Sequence, residues 1–377
     1  MKQIRSDSSA MGAHELKARL LCEGAYTSEE EFGMLMEQLN PFGVKRGGLG
    51  SGAKVRLVPS AIMVNFPLYR NTKVPIRMEL IDDGVVFFDG DIKIGRAVPL
   101  EPPTWYGQIL SDGTPIERIF IQHGTQLATA VYEDCALFNT KEACEFCVMR
   151  FSTTVHGLRV KRIIQIIEAL KLIPLVYQSR GVLLNGGMTF HAGRGMELIT
   201  PVVEGIRNTF PNIPMAVEIT PPQDLTWIDR LHEAGCNSLM MNLECWDEAS
   251  RQKYIPGKNK ACPRALYLEA FKRAVKVFGK GKVSSCFVCG TEPLATLKQG
   301  IRYFVGLGVY PSPLSGRYFE DVPGYQFTAR MPWQEFLEVQ RFVQVELARA
   351  HFSSTDRAGC IACGMCDMVG DREQPKI

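Results

Sequence analysis

Apolar, strand-like segments alternate with amphipathic helical segments from about residue 116 onward, and this repetition limits the possible folds more than any other feature. Examples are "LATAVY" followed by "VKRIIQIIEALKLI", and "GVLLNGG" followed by "ELITPVVEGIRN". A β-α unit of roughly 25–40 residues predicts an α/β fold, in which a parallel sheet is covered by helices. About six such strands fit a partial (β/α) barrel as well as an open sheet.

The pattern changes on both sides of this region. Residues 1–115 combine two amphipathic helical stretches with short alternating segments such as "AIMVNF", and they are predicted to form an N-terminal α+β extension. Residues 116–330 carry the β-α units. Residues 331–377 begin with a long helical stretch, "PWQEFLEVQRFVQVELARAHF", and end in a polar tail that contains three cysteines.

Composition excludes several classes of protein. The 377 residues are 46% hydrophobic and carry a net charge of only +3, so a nucleic-acid partner is not expected. The first 20 residues lack the apolar core of a signal peptide, and no apolar run approaches the ~18 residues that span a bilayer. We therefore expect a cytoplasmic protein without a membrane partner.

Unusual residues stand where the predicted strands end. Because the carboxyl ends of parallel strands in a barrel form one mouth, where active sites gather, these residues are expected to lie together. The candidates are Cys135, Gly186, Gly187, Glu218, Asn242, Glu244 and Gly290.

Three cysteines occur in the segment "CALFNTKEACEFC", as Cys135, Cys144 and Cys147. Their C-x8-C-x2-C spacing offers three thiols, whereas a structural zinc site uses four ligands and disulfides use an even number. Three thiolates can hold an iron–sulfur cubane and leave one iron for another ligand. Phe146 precedes the last cysteine and is expected to shield such a cluster from water.

Several stretches resemble the radical S-adenosylmethionine (SAM) enzymes, in particular the biotin synthase and lipoyl synthase group. That superfamily carries three cysteines after the first strand of a partial barrel, usually as C-x3-C-x2-C, and the first gap here is longer. "LLNGGMT", "MAVEITPPQD", "SLMMNLECWDEASRQKYIPGK" and "SSCFVCGTEP" resemble stretches of these enzymes over residues 117–315. The chain also resembles a radical SAM subgroup encoded beside nitrilases.

This resemblance implies a partial (β/α)6 TIM-like barrel that binds a [4Fe–4S] cluster and SAM. Reductive cleavage of SAM would give a 5′-deoxyadenosyl radical, which abstracts hydrogen from a small-molecule substrate. Cys135, Cys144 and Cys147 would hold the cluster. The SAM-contacting residues implied are Gly186 and Gly187 at the amino group, Glu218, Asn242 and Glu244 at the ribose or methionine part, and Gly290 beside the adenine. A flavodoxin- or ferredoxin-type protein would supply the electron.

A second triplet, Cys360, Cys363 and Cys366, lies in "CIACGMC". The compact C-x2-C-x2-C spacing is typical of loops that ligate iron–sulfur clusters, so we expect an auxiliary [4Fe–4S] cluster. Three thiols would again leave one iron for a substrate, for sulfur donation in a sulfur insertion or rearrangement, or for electron transfer. A zinc site or an unliganded tail is the alternative.

Two other functions fit the cysteines without SAM. One is a two-cluster electron carrier, and the other is a zinc-stabilised binding protein in which His123 or His156 completes the first triplet. The strand-end glycines could serve only a tight turn, and the strand-end polar residues could be structural.

Overall fold

The computed structural model describes residues 11–39, 52–70, 74–149, 158–320, 322, 325–353, 359–369 and 371.

The helices are, in chain order, α1 (Ala13–Glu23), α2 (Glu29–Leu39), α3 (Ile116–Ile119), α4 (Ile163–Leu172), α5 (Leu175–Gln178), α6 (Met196–Thr209), α7 (Thr226–Glu233), α8 (Glu248–Tyr254), α9 (Pro256–Ala261), α10 (Arg264–Phe278), α11 (Leu294–Leu307) and α12 (Trp333–Arg349). A short 3₁₀ turn, Gly359–Ala362, follows in the tail. No helix in the described ranges combines the length and the apolar character that crossing a bilayer requires.

The strands are β1 (Ala25–Tyr26), β2 (Ala53–Val58), β3 (Met63–Phe66), β4 (Leu68–Tyr69), β5 (Ile76–Ile81), β6 (Gly84–Asp89), β7 (Ile92–Pro99), β8 (Ile121–His123), β9 (Gln126–Tyr132), β10 (Val182–Gly186), β11 (Met215–Glu218), β12 (Ser238–Met240), β13 (Val283–Cys289) and β14 (Tyr310–Ser315). They form two seven-stranded sheets, one from β1–β7 and one from β8–β14.

The N-terminal segment forms the first sheet and two helices. Its sheet has the order β3-β2-β7-β6-β5-β1-β4, and the β2–β3, β2–β7, β5–β6 and β6–β7 pairs are antiparallel. Buried residues alternate with more exposed ones along β2, as expected for a strand with one face toward a core. Before α2, the Ser28 hydroxyl accepts a hydrogen bond from the Glu31 N–H at 3.2 Å, which satisfies a free donor of the first turn.

The second sheet confirms the predicted partial barrel. Strands β9 to β14 are adjacent, parallel and in chain order, and β8 pairs antiparallel with β9 at the edge. Every residue of β13 is buried, because helices cover one face and the barrel interior lies on the other. Ala128, Leu183 and Ala216 are neighbours across β9, β10 and β11 and form a small cluster apart from the main core.

The N-terminal sheet and the tail both contact the barrel. Arg317, just after β14, donates a hydrogen bond from Nη2 to the Asn65 carbonyl of β3 at 2.5 Å. The Asn65 N–H donates in turn to the Met365 carbonyl of the tail at 3.1 Å. Lys17 of α1 is fully buried and donates from Nζ to the Gly364 carbonyl at 2.6 Å. These contacts fix the tail between the first sheet and the barrel.

Candidate cofactor site

The first cysteine triplet lies in the loop that follows β9, at the carboxyl end of the parallel sheet. Main-chain hydrogen bonds hold this loop: the Ala136 N–H donates to the Met188 carbonyl at 2.8 Å, and the Cys147 N–H donates to the Cys144 carbonyl at 3.2 Å. The Cys135 N–H donates to the side chain of Asp134 at 2.8 Å. The loop is thereby fixed against the segment that follows β10, which carries two of the predicted glycines.

Gly187 is required for this contact. A Cβ atom at Gly187 would lie 1.8 Å from the Asp134 carbonyl oxygen and 2.8 Å from Cys135 Cβ, far inside van der Waals contact. Gly186 is less constrained, since its nearest neighbour would be the Tyr132 carbonyl at 3.3 Å. The packing of the cysteine loop therefore explains Gly187 physically, and a contact of either glycine with SAM remains a prediction.

The loop thiols lie close to one another and to a buried carboxylate. Burial raises the pKa of the Cys147 thiol to about 11, and the negative charge of Cys135 adds to this effect. Burial also raises the pKa of Cys144 well above its ordinary value, and the charge of Glu244 is the next cause. Thiolates in such surroundings need a positive metal centre to compensate their charge.

The described side chains do not form a ready-made site for a single metal ion. Within the ranges that the structure describes, no three His, Cys, Asp or Glu side chains converge closely enough to bind one metal ion. An iron–sulfur cluster held by Cys135, Cys144 and Cys147 therefore stays a prediction.

Glu244 lies in the loop after β12 with an unusual backbone conformation. Its φ of 69° is in the left-handed region, which costs free energy for a residue other than glycine. The main chain is fixed by a hydrogen bond from the Glu244 N–H to the Cys286 carbonyl at 3.0 Å and one from the Val288 N–H to the Glu244 carbonyl at 2.8 Å. The strained backbone directs this carboxylate into the protein, where it is 6% exposed.

Lys258 forms a buried ion pair with Glu244. Its Nζ lies 2.8 Å from Glu244 Oε1 and also donates to the Asn242 carbonyl at 3.1 Å. Burial alone would lower the pKa of Lys258, but the charge of Glu244 raises it well above its ordinary value. The second oxygen, Glu244 Oε2, is buried without a hydrogen-bond partner in the described structure. A buried acceptor left in this state is suited to a hydroxyl or ammonium group of a ligand.

Asn242 and Glu218 contact each other directly. Asn242 Nδ2 donates to Glu218 Oε1 at 2.7 Å, while Asn242 Oδ1 accepts a hydrogen bond from the Cys286 N–H at 3.1 Å. The Asn242 carbonyl accepts from the Tyr267 hydroxyl at 2.8 Å. The Asn242 amide is thus engaged on both sides and orients the Glu218 carboxylate. A direct contact of Asn242 with SAM remains a prediction.

Aromatic residues surround the end of the cysteine loop. Phe146 is 7% exposed and packs edge-on against Phe327, with ring centroids 5.7 Å apart. Tyr254 packs on the other side of Phe327 at 5.7 Å, and the Tyr325 hydroxyl donates to the Phe146 carbonyl at 3.3 Å. This aromatic wall of Phe146, Tyr254, Tyr325 and Phe327 is placed to keep water away from the thiols.

Gly290 has a structural explanation that the sequence did not reveal. Its φ is 95°, and a Cβ atom there would lie 2.5 Å from the carbonyl carbon of Arg330. The close passage of the Arg330 backbone therefore requires glycine at this position. The predicted position of Gly290 beside the adenine is not needed to account for the residue.

The second cysteine triplet enters the barrel from the tail. Cys360 packs against the cluster of Ala128, Leu183 and Ala216. Burial raises the pKa of the Cys360 thiol well above its ordinary value, and the nearby charge of Glu218 is the next cause. Glu218 also raises the pKa of Cys286, after burial and Glu244. Glu218 therefore lies between the first site and the tail.

His123 does not accompany the first triplet. Its Nδ1 lies 3.9 Å from Cys363 Sγ, so the structure places it beside the tail cysteines. His156, the other candidate for completing a zinc site, lies outside the described residues.

Sequence reasoning named the acidic residue of the ion pair but missed Lys258, Tyr325 and Phe327. Lys258 closes the stretch "SLMMNLECWDEASRQKYIPGK", so a lysine near a strand-end acid was an available signal. The two aromatic residues come from a segment about 180 positions after the loop, with Tyr325 and Phe146 separated by 179. Nothing in their local sequence indicates that contact.

Comparison with known proteins gives one curated relative and several solved structures. No family model matches the sequence. The bacteriochlorophyllide c C-7(1)-hydroxylase of Chlorobaculum limnaeum is 26% identical over 341 residues, covering 84% of this chain and 79% of that protein. A radical SAM methyltransferase from Sphaerobacter thermophilus is 16% identical with a TM-score of 0.45, covering 74% of this chain and 75% of the other. Coproporphyrinogen III oxidase from Escherichia coli, a radical SAM enzyme, is 12% identical with a TM-score of 0.36; the match covers 48% of this chain and 43% of the oxidase.

Proposed function

We propose that the chain is a radical SAM enzyme, which reductively cleaves SAM at a [4Fe–4S] cluster held by Cys135, Cys144 and Cys147. The resemblance of its sequence to the radical SAM enzymes implies both cofactors. The observation that carries the proposal is a juxtaposition: the thiols of Cys144 and Cys147 lie near Glu244, whose buried Oε2 lacks a hydrogen-bond partner in the described structure.

The residues present suit the two cofactors. Three thiols are the ligand set that leaves one iron of a cubane for SAM. When bound, the reduced cluster supplies the electron that divides SAM into methionine and a 5′-deoxyadenosyl radical, which abstracts hydrogen from the substrate. Glu244 offers an acceptor to a polar group of SAM, and Lys258 orients that carboxylate through a 2.8 Å contact.

The remaining residues of the site orient the Glu218 carboxylate, exclude water and allow the cysteine loop to pack. Asn242 holds the Glu218 carboxylate through a 2.7 Å hydrogen bond. We propose that this carboxylate contacts the SAM ribose or the substrate. The aromatic wall excludes water, which would otherwise quench a reactive radical and weaken electrostatic contacts. Gly187 allows the cysteine loop to approach the end of β10.

The substrate that we propose is a small molecule with an unactivated C–H bond. The curated relative is named for hydroxylation at C-7(1) of bacteriochlorophyllide c, and a hydroxylation exchanges a hydrogen carried by carbon. Hydrogen abstraction from carbon is the step that we assign to this chain. We also propose that a flavodoxin- or ferredoxin-type protein supplies the electron and that Cys360, Cys363 and Cys366 hold a second cluster.

The proposal is tested on anaerobically purified and reconstituted protein. Iron and zinc are counted, and 5′-deoxyadenosine is measured by liquid chromatography after addition of dithionite and SAM. We expect about four irons for each cluster and formation of 5′-deoxyadenosine. Zinc without iron would contradict the proposal in favour of a binding protein. Iron without 5′-deoxyadenosine would contradict it in favour of an electron carrier.

A further inference from the structure

Glu244 lies at the apex of a tight turn that follows β12. The Cys245 N–H donates to the Leu243 carbonyl at 2.9 Å, and the φ of Glu244 between them is 69°. A hydrogen bond that encloses one residue of positive φ is characteristic of the rare and strained form of the γ-turn. Such strain persists only where the surrounding structure holds the backbone in place, and it is concentrated at functional sites. The turn that carries Glu244 therefore needs neighbours that fix it.

A buried arginine on α8, Arg251, makes one of the contacts that fix this turn. Its Nη1 donates to the Leu243 carbonyl at 2.7 Å, which is the same oxygen that closes the turn. Its Nε donates to Asn259 Oδ1 at 2.8 Å, and its Nη2 donates to the Cys262 carbonyl at 2.9 Å. Arg251 thus joins the loop after β12 to α9 and to the residue that follows α9.

These hydrogen bonds connect Arg251 to both members of the buried ion pair. Leu243 is the residue before Glu244, and Asn259 is the residue after Lys258. Because the guanidinium group is planar and rigid, it fixes the position of the turn relative to α9. The 2.8 Å contact between Glu244 and Lys258 therefore depends in part on Arg251.

The surroundings of Arg251 argue against a role in packing alone. The side chain is 0% exposed, and its three acceptors are two main-chain carbonyls and an amide oxygen, none of which carries a charge. Removal of a cation from water is unfavourable, and an apolar side chain of similar volume would avoid that cost. An apolar side chain could not hold the Leu243 carbonyl and Asn259 at the same time. The arginine therefore serves to fix these two positions.

We propose that Arg251 is a positioning residue for SAM, which holds the turn at Glu244 and the helix at Lys258 so that Glu244 Oε2 can accept a hydrogen bond from SAM. The inference rests on the SAM site proposed above and adds the residue that sets its geometry. Oε2 is buried without a hydrogen-bond partner in the described structure, and a displaced turn would move this acceptor. Loss of the Arg251 contacts should thus weaken SAM binding in a protein that still folds.

The first test is Arg251→Lys in the chain reconstituted with iron and sulfide, because lysine keeps the charge but replaces the planar fork by a single point of charge. We expect the dissociation constant for SAM, measured by anaerobic calorimetry, to rise at least tenfold. Asn259→Ala is a milder variant that removes only the acceptor on α9, and it should raise the constant at least threefold. Circular dichroism checks that both variants fold. Wild-type SAM affinity in both would overturn the inference.

The control is Arg19→Lys on α1. Arg19 is also a buried arginine, but its partners are Glu23 and Asp89. This variant should bind SAM like the wild type. If Arg19→Lys weakened SAM binding as much as Arg251→Lys does, the effect would follow from any buried arginine and the assignment to Arg251 would fail.

A double-mutant cycle separates an effect through Glu244 from a general effect on the fold. In the Glu244→Ala background, Arg251→Lys should change SAM affinity less than twofold, because the carboxylate that Arg251 positions is already absent. An equal loss of affinity in both backgrounds would show that Arg251 does not act through Glu244.

Hydrogen exchange of the metal-free protein gives a readout that needs neither cofactor. The Glu244 N–H donates to the Cys286 carbonyl at 3.0 Å, and the Cys245 N–H closes the turn. In Arg251→Lys, mass spectrometry should show these two amides exchanging at least tenfold faster, while the amides of α6 keep the wild-type rate. Unchanged exchange in the turn would contradict the proposed role. Formation of 5′-deoxyadenosine by the wild-type chain, assayed with dithionite, reports separately on the proposed function.

Discussion

Lys258 Nζ lies 2.8 Å from Glu244 Oε1, and the two side chains are only 10% and 8% exposed. The pair joins α9 to the loop after β12, at the edge of the cysteine site. Both charges are largely removed from water, so losing one partner would leave the other buried without compensation. A change at either residue is therefore expected to affect the stability of the site as well as its binding of SAM.

We predict that Lys258→Met lowers the free energy of unfolding by about 3–5 kcal/mol, since it leaves a buried carboxylate without its cation. Guanidinium denaturation of the metal-free protein measures this change. Adding Glu244→Gln should recover most of the lost stability, because the unpaired charge is then gone. The double variant should still bind SAM at least tenfold more weakly in anaerobic calorimetry of the reconstituted protein. Normal SAM affinity in the double variant would exclude Glu244 from the SAM site.

Cys144→Ala should abolish SAM cleavage, because two thiolates cannot hold the proposed cubane with one iron free for SAM. The readout is 5′-deoxyadenosine formed with dithionite as reductant. Cys236→Ala is the matched control, since Cys236 is a buried thiol whose Sγ lies 3.1 Å from the Ser238 carbonyl and far from any proposed ligand role. Retention of more than about one tenth of wild-type cleavage by Cys144→Ala would rule out the assignment.

Gly187→Ala should prevent assembly of the first cluster. The added methyl group would lie 1.8 Å from the Asp134 carbonyl oxygen, so the loop that carries Cys135 must move. Iron content and 5′-deoxyadenosine should both fall at least tenfold. In contrast, Gly33→Ala in α2 meets no atom within 4 Å and should stabilise that helix by about 0.5–1 kcal/mol. Normal iron loading in Gly187→Ala would show that the loop tolerates displacement.

The barrel could be predicted from the sequence because each of its strands is marked by a short apolar run of neighbouring residues. Predicted strands such as "LATAVY" and "GVLLNGG" correspond to β9 (Gln126–Tyr132) and β10 (Val182–Gly186), since continuous apolar runs are what a parallel sheet buried on both faces requires. Strand-end residues followed from topology alone, because parallel strands all end at one mouth. The grouping of Glu218, Asn242 and Glu244 at one end of the sheet could therefore be predicted.

Contacts between segments far apart in the chain could not be predicted from the sequence. Lys17 and Asp371 are 354 positions apart, and neither has a local pattern that indicates a buried ion pair. His123 was a candidate for the first triplet because nothing in the sequence shows which cysteines a single histidine approaches. Likewise, the sequence does not show that the Arg330 backbone passes close to Gly290, and the contact of Gly290 with SAM stays a prediction.

Cys363→Ala should spare SAM cleavage with dithionite but impair turnover of the true substrate with the protein electron donor. The reason is that the proposed second cluster is separate from the thiols that bind the first. Comparison of 5′-deoxyadenosine formed with dithionite and with reduced flavodoxin measures the difference, which we expect to exceed tenfold. Full activity with the protein donor would remove any catalytic role of the tail cluster.

Lys17→Met should release the tail from the barrel. The substitution removes the cation that binds the Gly364 carbonyl and Asp371, and it leaves that carboxylate buried without a charge partner. Labelling of the metal-free protein with a maleimide, followed by mass spectrometry, should show Cys363 and Cys366 reacting at least tenfold faster than in the wild type.

Arg19→Met is the control for Lys17→Met because Arg19 lies on the same helix and bonds Glu23 and Asp89 instead of the tail. Its tail thiols should react at the wild-type rate. Asp371→Asn removes the other partner of Lys17 and should expose the same two thiols through loss of the same contact. If both Lys17→Met and Asp371→Asn leave Cys363 protected while the protein stays folded, the tail is held by its apolar packing on Met63, Leu100 and Leu314 and not by the buried ion pair.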